Sequence, residues 1–245
     1  MKILIIAGHG QGDPGACSRS FKEAELVREI VPTLASTLRR YADVTVFDTT
    51  KNMYKHLKAG KSFDFKPYDY VLELHFNAVK EEQVEDDRTK GVEILVHTSE
   101  KATSVEQLIV DNISDIGFTN RGVKTRSNLL NMNICKGQQG VSYALLETCF
   151  IDDIDDMRLY IANKDRVVSA ITNGIVLGFG LSEEDEKVDK FTDISEHYAR
   201  DAINDLAKMG IVHGKGYGIF DPQAPITRGD VAIIARNVIR YITGK

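Results

Sequence analysis

Four polar residues within the first 150 positions are of types that together activate water: His9, Glu23, His75 and Glu147. Two imidazoles and one carboxylate can hold a zinc ion at three corners of a tetrahedron and leave the fourth open for water. A second carboxylate beside that water can act as its base. If the four converge, the protein is a zinc hydrolase. Spacing alone does not select them over their neighbours. Glu25 competes with Glu23 as a ligand from a different helical face, although with Arg28 or Glu29 it reads more simply as part of a solvated surface. Glu73 shares a strand face with His75 and reads either as a ligand or as a supporting or surface partner. Asn77 reads equally as a substrate-binding amide or a turn cap. Glu147 follows the apolar run 141–146, where a carboxylate is costly unless paired, protonated or near a metal. Its bland reading is an ion pair with Lys124 or Arg126.

The elements that would position these groups alternate through roughly the first 180 residues. Apolar runs at 3–7, 44–47, 70–74, 92–96 and 143–146 read as strands, several of them apolar on both faces. Helical periodicity appears over 21–41, 104–116 and 166–179. This alternation predicts an α/β domain whose mostly parallel sheet is flanked by helices on both faces. Functional groups should gather at the strand ends and the loops just beyond them. His9 and His75 both stand where an apolar strand gives way to small or polar residues, and Glu23 lies early on the first helix.

The pattern changes after Leu181. Residues 182–190 are polar, acidic and without hydrophobic period, as in a solvated linker. From 191 to 245 two amphipathic helices are predicted around a glycine-rich turn region, 214–222. Ala199, Ile203, Leu206 and Met209 form the stripe of the first, which Gly210 stops. Val231, Ile234, Ala235, Val238 and Ile242 form that of the second, opened by a Thr227-x-x-Asp230 cap. So small an all-α unit buries little apolar surface alone and calls for a partner surface.

Composition narrows the classes. Of 245 residues, 42% are hydrophobic and 27% charged, as in ordinary globular proteins. The net charge of −5, without a basic tail, argues against a nucleic-acid partner. No stretch approaches the roughly 20 apolar residues that span a bilayer. The N-terminal apolar run is too short for a secretory signal, which predicts synthesis in the cytoplasm and action elsewhere only after release. Cys17, Cys135 and Cys149 lack CxxC spacing and read as small, mostly buried fillers. Cys149 would share a strand face with Glu147 and could line the site.

Taken in order, several segments resemble the zinc-dependent N-acetylmuramoyl-L-alanine amidases of the amidase 3 family. They are Gly8-His9-Gly10 with Asp13-Pro14-Gly15, Glu23-Ala24-Glu25-Leu26-Val27, His75-Phe76-Asn77-Ala78, Asn120-Arg121-Gly122-Val123-Lys124 and Leu146-Glu147-Thr148-Cys149-Phe150-Ile151. Cys149 departs from the family's usual glycine. The resemblance implies Zn²⁺ held by His9, Glu23 and His75, with Glu147 as the catalytic carboxylate. It selects Glu23 over Glu25, because the family places its acidic ligand fourteen residues after the first histidine.

The C-terminal part resembles one S-layer homology module. Phe191-Thr192-Asp193-Ile194, Gly210-Ile211-Val212-His213-Gly214, Phe220-Asp221-Pro222 and Ile226-Thr227-Arg228-Gly229-Asp230 carry the likeness. Tyr198 stands where tryptophan is frequent, and Gly229-Asp230 replaces a usual Ala-Glu pair. Such modules commonly act in threes. A single copy therefore implies self-association, or weak wall binding strengthened by avidity. Arg228 is the residue to grip an anionic wall polymer, its alternative being an ion pair with Asp193 or Asp230.

Together the two resemblances imply a peptidoglycan hydrolase of endolysin type, cleaving the amide between N-acetylmuramic acid and L-alanine and bound to a secondary cell-wall polymer. A zinc peptidase cutting within the stem peptide, a host autolysin and a catalytically dead wall-anchoring protein are the competing readings.

Overall fold

The computed structural model describes residues 1–10, 12–79, 85–182, 191–216 and 218–243, with backbone only for Lys208 and residues 240–243. Ile242, expected on the last apolar stripe, and residues 183–190, expected as linker, thus lie outside the described side chains. Two compact units form, Met1–Glu184 and Asp185–Lys245.

The first unit is built on a six-stranded sheet in the order β4-β1-β5-β8-β6-β7. Its strands are β1 (Lys2–Ala7), β4 (Asp43–Val46), β5 (Tyr70–Asn77), β6 (Val92–His97), β7 (Asn120–Arg126) and β8 (Ser142–Phe150). A two-stranded hairpin, β2 (Cys17–Ser18) and β3 (Phe21–Lys22), stands apart from it. β4, β1, β5 and β8 run parallel, whereas β6 lies antiparallel to β8 and parallel to β7.

Period-two alternation gives each strand two apolar faces. Ile3, Ile5, Leu72, Leu74, Ile94 and Leu146 join the core under α1 (Glu23–Leu38), α3 (Ser104–Ser114) and α6 (Lys164–Phe179). Leu4, Ile6, Val71, Tyr143 and Leu145 meet Met53 and Leu57 of α2 (Met53–Lys58). On that same face lie Met132 of the short α4 (Leu130–Met132) and Cys135 of the π-helical turn Asn133–Gln138. α5 (Ile154–Ala162) follows β8. Helices thus cover both faces. Among the described residues none is long and apolar enough to cross a membrane.

Four expectations need correction here. The first helix begins at Glu23, because Phe21–Lys22 pairs with Cys17–Ser18. β5 and β8 run several residues past their apolar cores, carrying His75 and Glu147 inside strands. Cys149 does not share the face of Glu147. Pairing runs His75↔Glu147 and then Asn77↔Phe150, so β8 holds one residue more than β5, and this bulge turns Cys149 into the helix-covered core. Cys17, finally, is exposed, while Cys135 and Cys149 are buried.

The second unit holds α7 (Arg200–Lys208) and α8 (Arg228–Thr243) around Phe191, Ile194, Ile203, Ala207, Ile211 and Val212. Gly210 stops α7 at φ +68°, and Thr227 and Asp230 exchange the reciprocal hydrogen bonds of a capping box. The expected stripes are only half right. Ile203, Ile234 and Val238 face this core, whereas Leu206, Met209, Val231 and Ala235 are exposed.

Candidate metal centre and active site

β1 delivers its chain into Gly8-His9-Gly10 at the C-terminal end of the sheet. His9 adopts φ +58°, an unusual conformation for a residue with a Cβ. Two devices hold it there. The Arg28 guanidinium, one turn into α1, donates to the carbonyls of Gly8, His9, Ala24 and Thr49 at 2.9–3.0 Å. Asp13 Oδ2 lies 3.1 Å from His9 Nδ1 and accepts from Asn52 Nδ2 at 2.9 Å, while its Oδ1 accepts from the Gly15 amide. Asn52 in turn caps α2. Arg28 is therefore no part of a solvated face. Glu25 is: it pairs with Lys22 in solvent, away from the cluster.

Glu23 opens α1 almost fully buried. Its Oε2 lies 3.0 Å from His9 Nε2 and its Oε1 2.8 Å from His75 Nδ1. The amides of Ala16 and Phe76 donate to the same two oxygens. His9 and His75 meet edge to face at 4.8 Å between ring centroids. Gly8 is required beside them, since a Cβ there would come within 2.5 Å of the His75 ring. Each imidazole thus turns one nitrogen to Glu23 and the other to a backing carboxylate, Asp13 for His9 and Glu73 for His75. Glu73 Oε1 lies 3.0 Å from His75 Nε2, and its carboxylate also accepts from Asn131 Nδ2 and the Tyr143 hydroxyl. Glu73 is accordingly a buried partner of His75 and is held away from the cluster's centre.

One ligand atom each from His9, Glu23 and His75 lies within 4.8 Å of the others. Burial works against charge on all three, yet their mutual hydrogen bonds prevail. Glu23 is held well below the usual carboxylate range and His75 well above the usual imidazole, with His9 raised as well. Hydrogen bonding to the carboxylates thus favours a proton on each ring. That is the arrangement a divalent cation replaces when it takes the same nitrogens and oxygen. The donor set is that of a three-ligand zinc site, and the two backing carboxylates are the outer partners such histidines use.

Glu147 stands directly beside His75 in the β5–β8 register. Its Oε2 is sealed from solvent with no hydrogen-bond partner among the described residues. Burial, and then the charge of Glu23 against the opposing pull of His75, leaves its pKa raised to about 7. The ion pair with Lys124 or Arg126 does not form; Lys124 goes to Glu93 instead, at 2.5 Å. A buried carboxylate oxygen without a partner beside a metal-type cluster fits a group that receives a proton from an activated water.

Asn77 is half-buried, its Oδ1 accepting from the Ala78 amide and its Nδ2 3.3 Å from Glu93 Oε1. Arg228 is exposed at the start of α8. The carboxylates proposed to pair with it are engaged elsewhere, Asp193 with the amides of Phe220 and Asp221 and Asp230 with Thr227. Sequence reasoning passed over Arg28, Asp13, Asn131, Tyr143 and Glu93 as site residues. Only Asp13 gave a signal, in its Asp-Pro-Gly turn; the others contact the site through tertiary approach.

Comparison with known proteins places these features in context. Residues 3–176 match the family model described as N-acetylmuramoyl-L-alanine amidase, and residues 190–232 match that of the S-layer homology domain. Probable autolysin PH of Staphylococcus aureus is 28% identical over 190 residues, covering 71% of this chain and 38% of that protein. The chain therefore matches well under half the length of that relative. N-acetylmuramoyl-L-alanine amidase CwlM of Bacillus licheniformis is 26% identical over 191 residues, 75% of this chain and 70% of the relative. The crystal structure of an N-acetylmuramoyl-L-alanine amidase from Clostridium difficile 630 superposes with a TM-score of 0.59 at 21% identity, covering 73% of this chain and 96% of that one. At that identity the likeness speaks for the fold.

Proposed function

This chain belongs to the N-acetylmuramoyl-L-alanine amidase family, and from that premise we propose that it hydrolyses the amide joining N-acetylmuramic acid to the L-alanine of peptidoglycan stem peptides. The observation that carries this reading is the convergence of His9, Glu23 and His75 beside a Glu147 oxygen that has no hydrogen-bond partner among the described residues. His9 Nε2, Glu23 and His75 Nδ1 would hold Zn²⁺. A zinc ion so bound supplies Lewis acidity, acidifying water and polarising a carbonyl.

The chain's own groups do the rest. Asp13 and Glu73 orient the two imidazoles. Glu147 removes a proton from the attacking water, keeps it within its buried carboxyl, and delivers it to the departing alanine nitrogen. Its pKa of about 7 suits a group that must accept and then donate near neutrality. Asn77, fixed through Glu93 and Ala78, would contact the substrate.

We place the catalytic unit at residues 1–181 and a wall-binding unit at 191–245, joined by the acidic stretch between them. Arg228 would contact an anionic secondary wall polymer. The exposed aliphatic side chains of α8, Val231, Ile233 and Ile239, would meet further copies of the chain. This combination suits a lytic enzyme acting at the wall. The endolysin reading rests on the family resemblance, while the Staphylococcus aureus relative is named an autolysin.

Digestion of purified peptidoglycan with and without a chelator tests the reading. New L-alanine amino termini, no new reducing sugars, and loss of activity on chelation restored by Zn²⁺ are expected. New amino termini on other stem residues would move the assignment to a peptidase, and no cleavage at all would leave a binding protein.

A further inference from the structure

A pair of cations stands beside Glu147 without a part in amide hydrolysis as described. Because β6 runs antiparallel to β8, Glu93 lies directly across from Glu147. β7 enters the sheet at this same end, and its pairing with β6 skips a residue between Val92/Asn120 and Ile94/Val123. Gly122, at φ +75°, takes up that irregularity. Arg121 and Lys124, three apart, are thereby brought onto one face. Arg121 Nε lies 2.6 Å and Lys124 Nζ 2.5 Å from the same oxygen of Glu93. Asn77 holds the other oxygen. The Arg121 guanidinium also lies over the Phe150 ring at 4.9 Å and donates to the Lys90 carbonyl, which fixes its plane.

Glu93 is buried, whereas the Arg121 and Lys124 side chains are 36% and 34% exposed. One carboxylate shared by two cations leaves a net positive charge facing solvent at the rim of the site. Stability alone gives little reason for such a cluster, since a hydrophobic replacement of buried ion pairs is often neutral or better. A rigid, half-exposed guanidinium with an ammonium beside it is a carboxylate receptor.

We propose that Arg121 and Lys124 bind a free carboxylate on the residue following L-alanine in the stem peptide. This inference rests on the amidase reading. In the stem that residue is a γ-linked glutamate, whose α-carboxyl is either free or amidated. Cross-strand neighbours lie roughly 5 Å apart and a peptide residue spans about 3.5 Å. A carboxylate one residue beyond the scissile amide thus reaches the cation pair while the amide lies at Glu147. The pair would distinguish stems with a free carboxylate from amidated ones.

The full-length Zn²⁺-loaded protein can be assayed on two peptidoglycans that differ only in the free or amidated state of that carboxyl. The rate of appearance of L-alanine amino termini is the readout. Loss of one charge-assisted hydrogen bond predicts a preference of about 10- to 100-fold for the free-carboxylate polymer. Arg121→Gln and Lys124→Met should each shrink that ratio, and Lys124→Arg should keep it. The ratio is read within one enzyme sample, so partial misfolding does not move it. Equal wild-type rates on the two polymers overturn this inference and leave the amidase reading standing. A ratio unchanged in both variants also overturns it. Release of L-alanine termini from neither polymer overturns the amidase reading itself.

Discussion

Burial raises the pKa of Glu147 to about 7, with His75 drawing it back and Glu23 pushing it further up. A carboxyl so placed is costly to ionise in the folded chain and inexpensive in the unfolded one. Its folded pKa exceeds the unfolded value of 4.5, so ionisation subtracts nothing from stability near pH 4 and takes its full toll above about pH 7. A shift of this size corresponds to about 3 kcal/mol. In chelated protein, Glu147→Gln should therefore match the wild type near pH 4 and exceed it in thermal stability at pH 8, which melting at the two pH values measures. A gap independent of pH would contradict the raised pKa. The same substitution should reduce kcat by about 10²- to 10⁴-fold, the usual worth of a general base. Zinc content should stay at the wild-type level, because Glu147 contributes no ligand atom in this reading. Zinc lost together with activity would instead make Glu147 a ligand.

Elements carry the same chemistry one level up, and Arg28 shows how. Its guanidinium ties α1 to the carbonyls of Gly8 and His9 and to Thr49 in the loop after β4. Arg28→Met keeps the stem and removes every one of these donors. The carbonyls of Gly8, His9, Ala24, Thr49 and Lys51 lose this donor, and His9 loses the frame for its φ of +58°. A cost of about 2–3 kcal/mol in unfolding free energy is expected from chemical denaturation, with a fall of 10-fold or more in zinc affinity by competition titration. Unchanged affinity would show that Asp13 and Asn52 suffice to hold the loop. Arg28 also marks where sequence reading stops. The strands with continuous apolar runs and the three long helices were legible, since periodicity reflects burial directly. β7 was not: Asn120–Arg126 is an edge strand rich in charge, and its place is set by pairing with β6. The bulge that parts Cys149 from Glu147 is likewise a property of two strands together. Of the site, His9, Glu23, His75 and Glu147 were singled out from residue type and position, and Glu23 over Glu25 by family resemblance alone. Arg28, Glu93 and Asn131 were invisible because their meaning lies in partners 16 to 58 residues away along the chain.

At the scale of the whole molecule, the two units bury separate cores and differ sharply in how completely they do so. Ile3, Leu4, Ile5 and Ile6 of the first unit are fully enclosed. In the second, α8 gives Ile234 and Val238 to its core while Val231, Ile233 and Ile239 stand exposed, as does Ile226. These exposed aliphatics are spread around the helix rather than gathered on one face, and a unit of this size leaves them uncovered. Self-association would cover part of this apolar surface and, on the proposed reading, multiply the weak grip of a single Arg228 on a repeating polymer. Linked contacts of this kind raise apparent affinity by about 10²- to 10⁴-fold. The full chain should then sediment as an oligomer at micromolar concentration. Ile233→Asp, at an exposed position outside the small core, should yield a folded monomer whose co-sedimentation with cell walls falls by about 100-fold. Its turnover of soluble muropeptides should equal that of the wild type, because the candidate metal site, His9, Glu23 and His75, lies wholly within the first unit. A wild-type monomer that binds walls as tightly as expected of the oligomer would assign adhesion to one module alone.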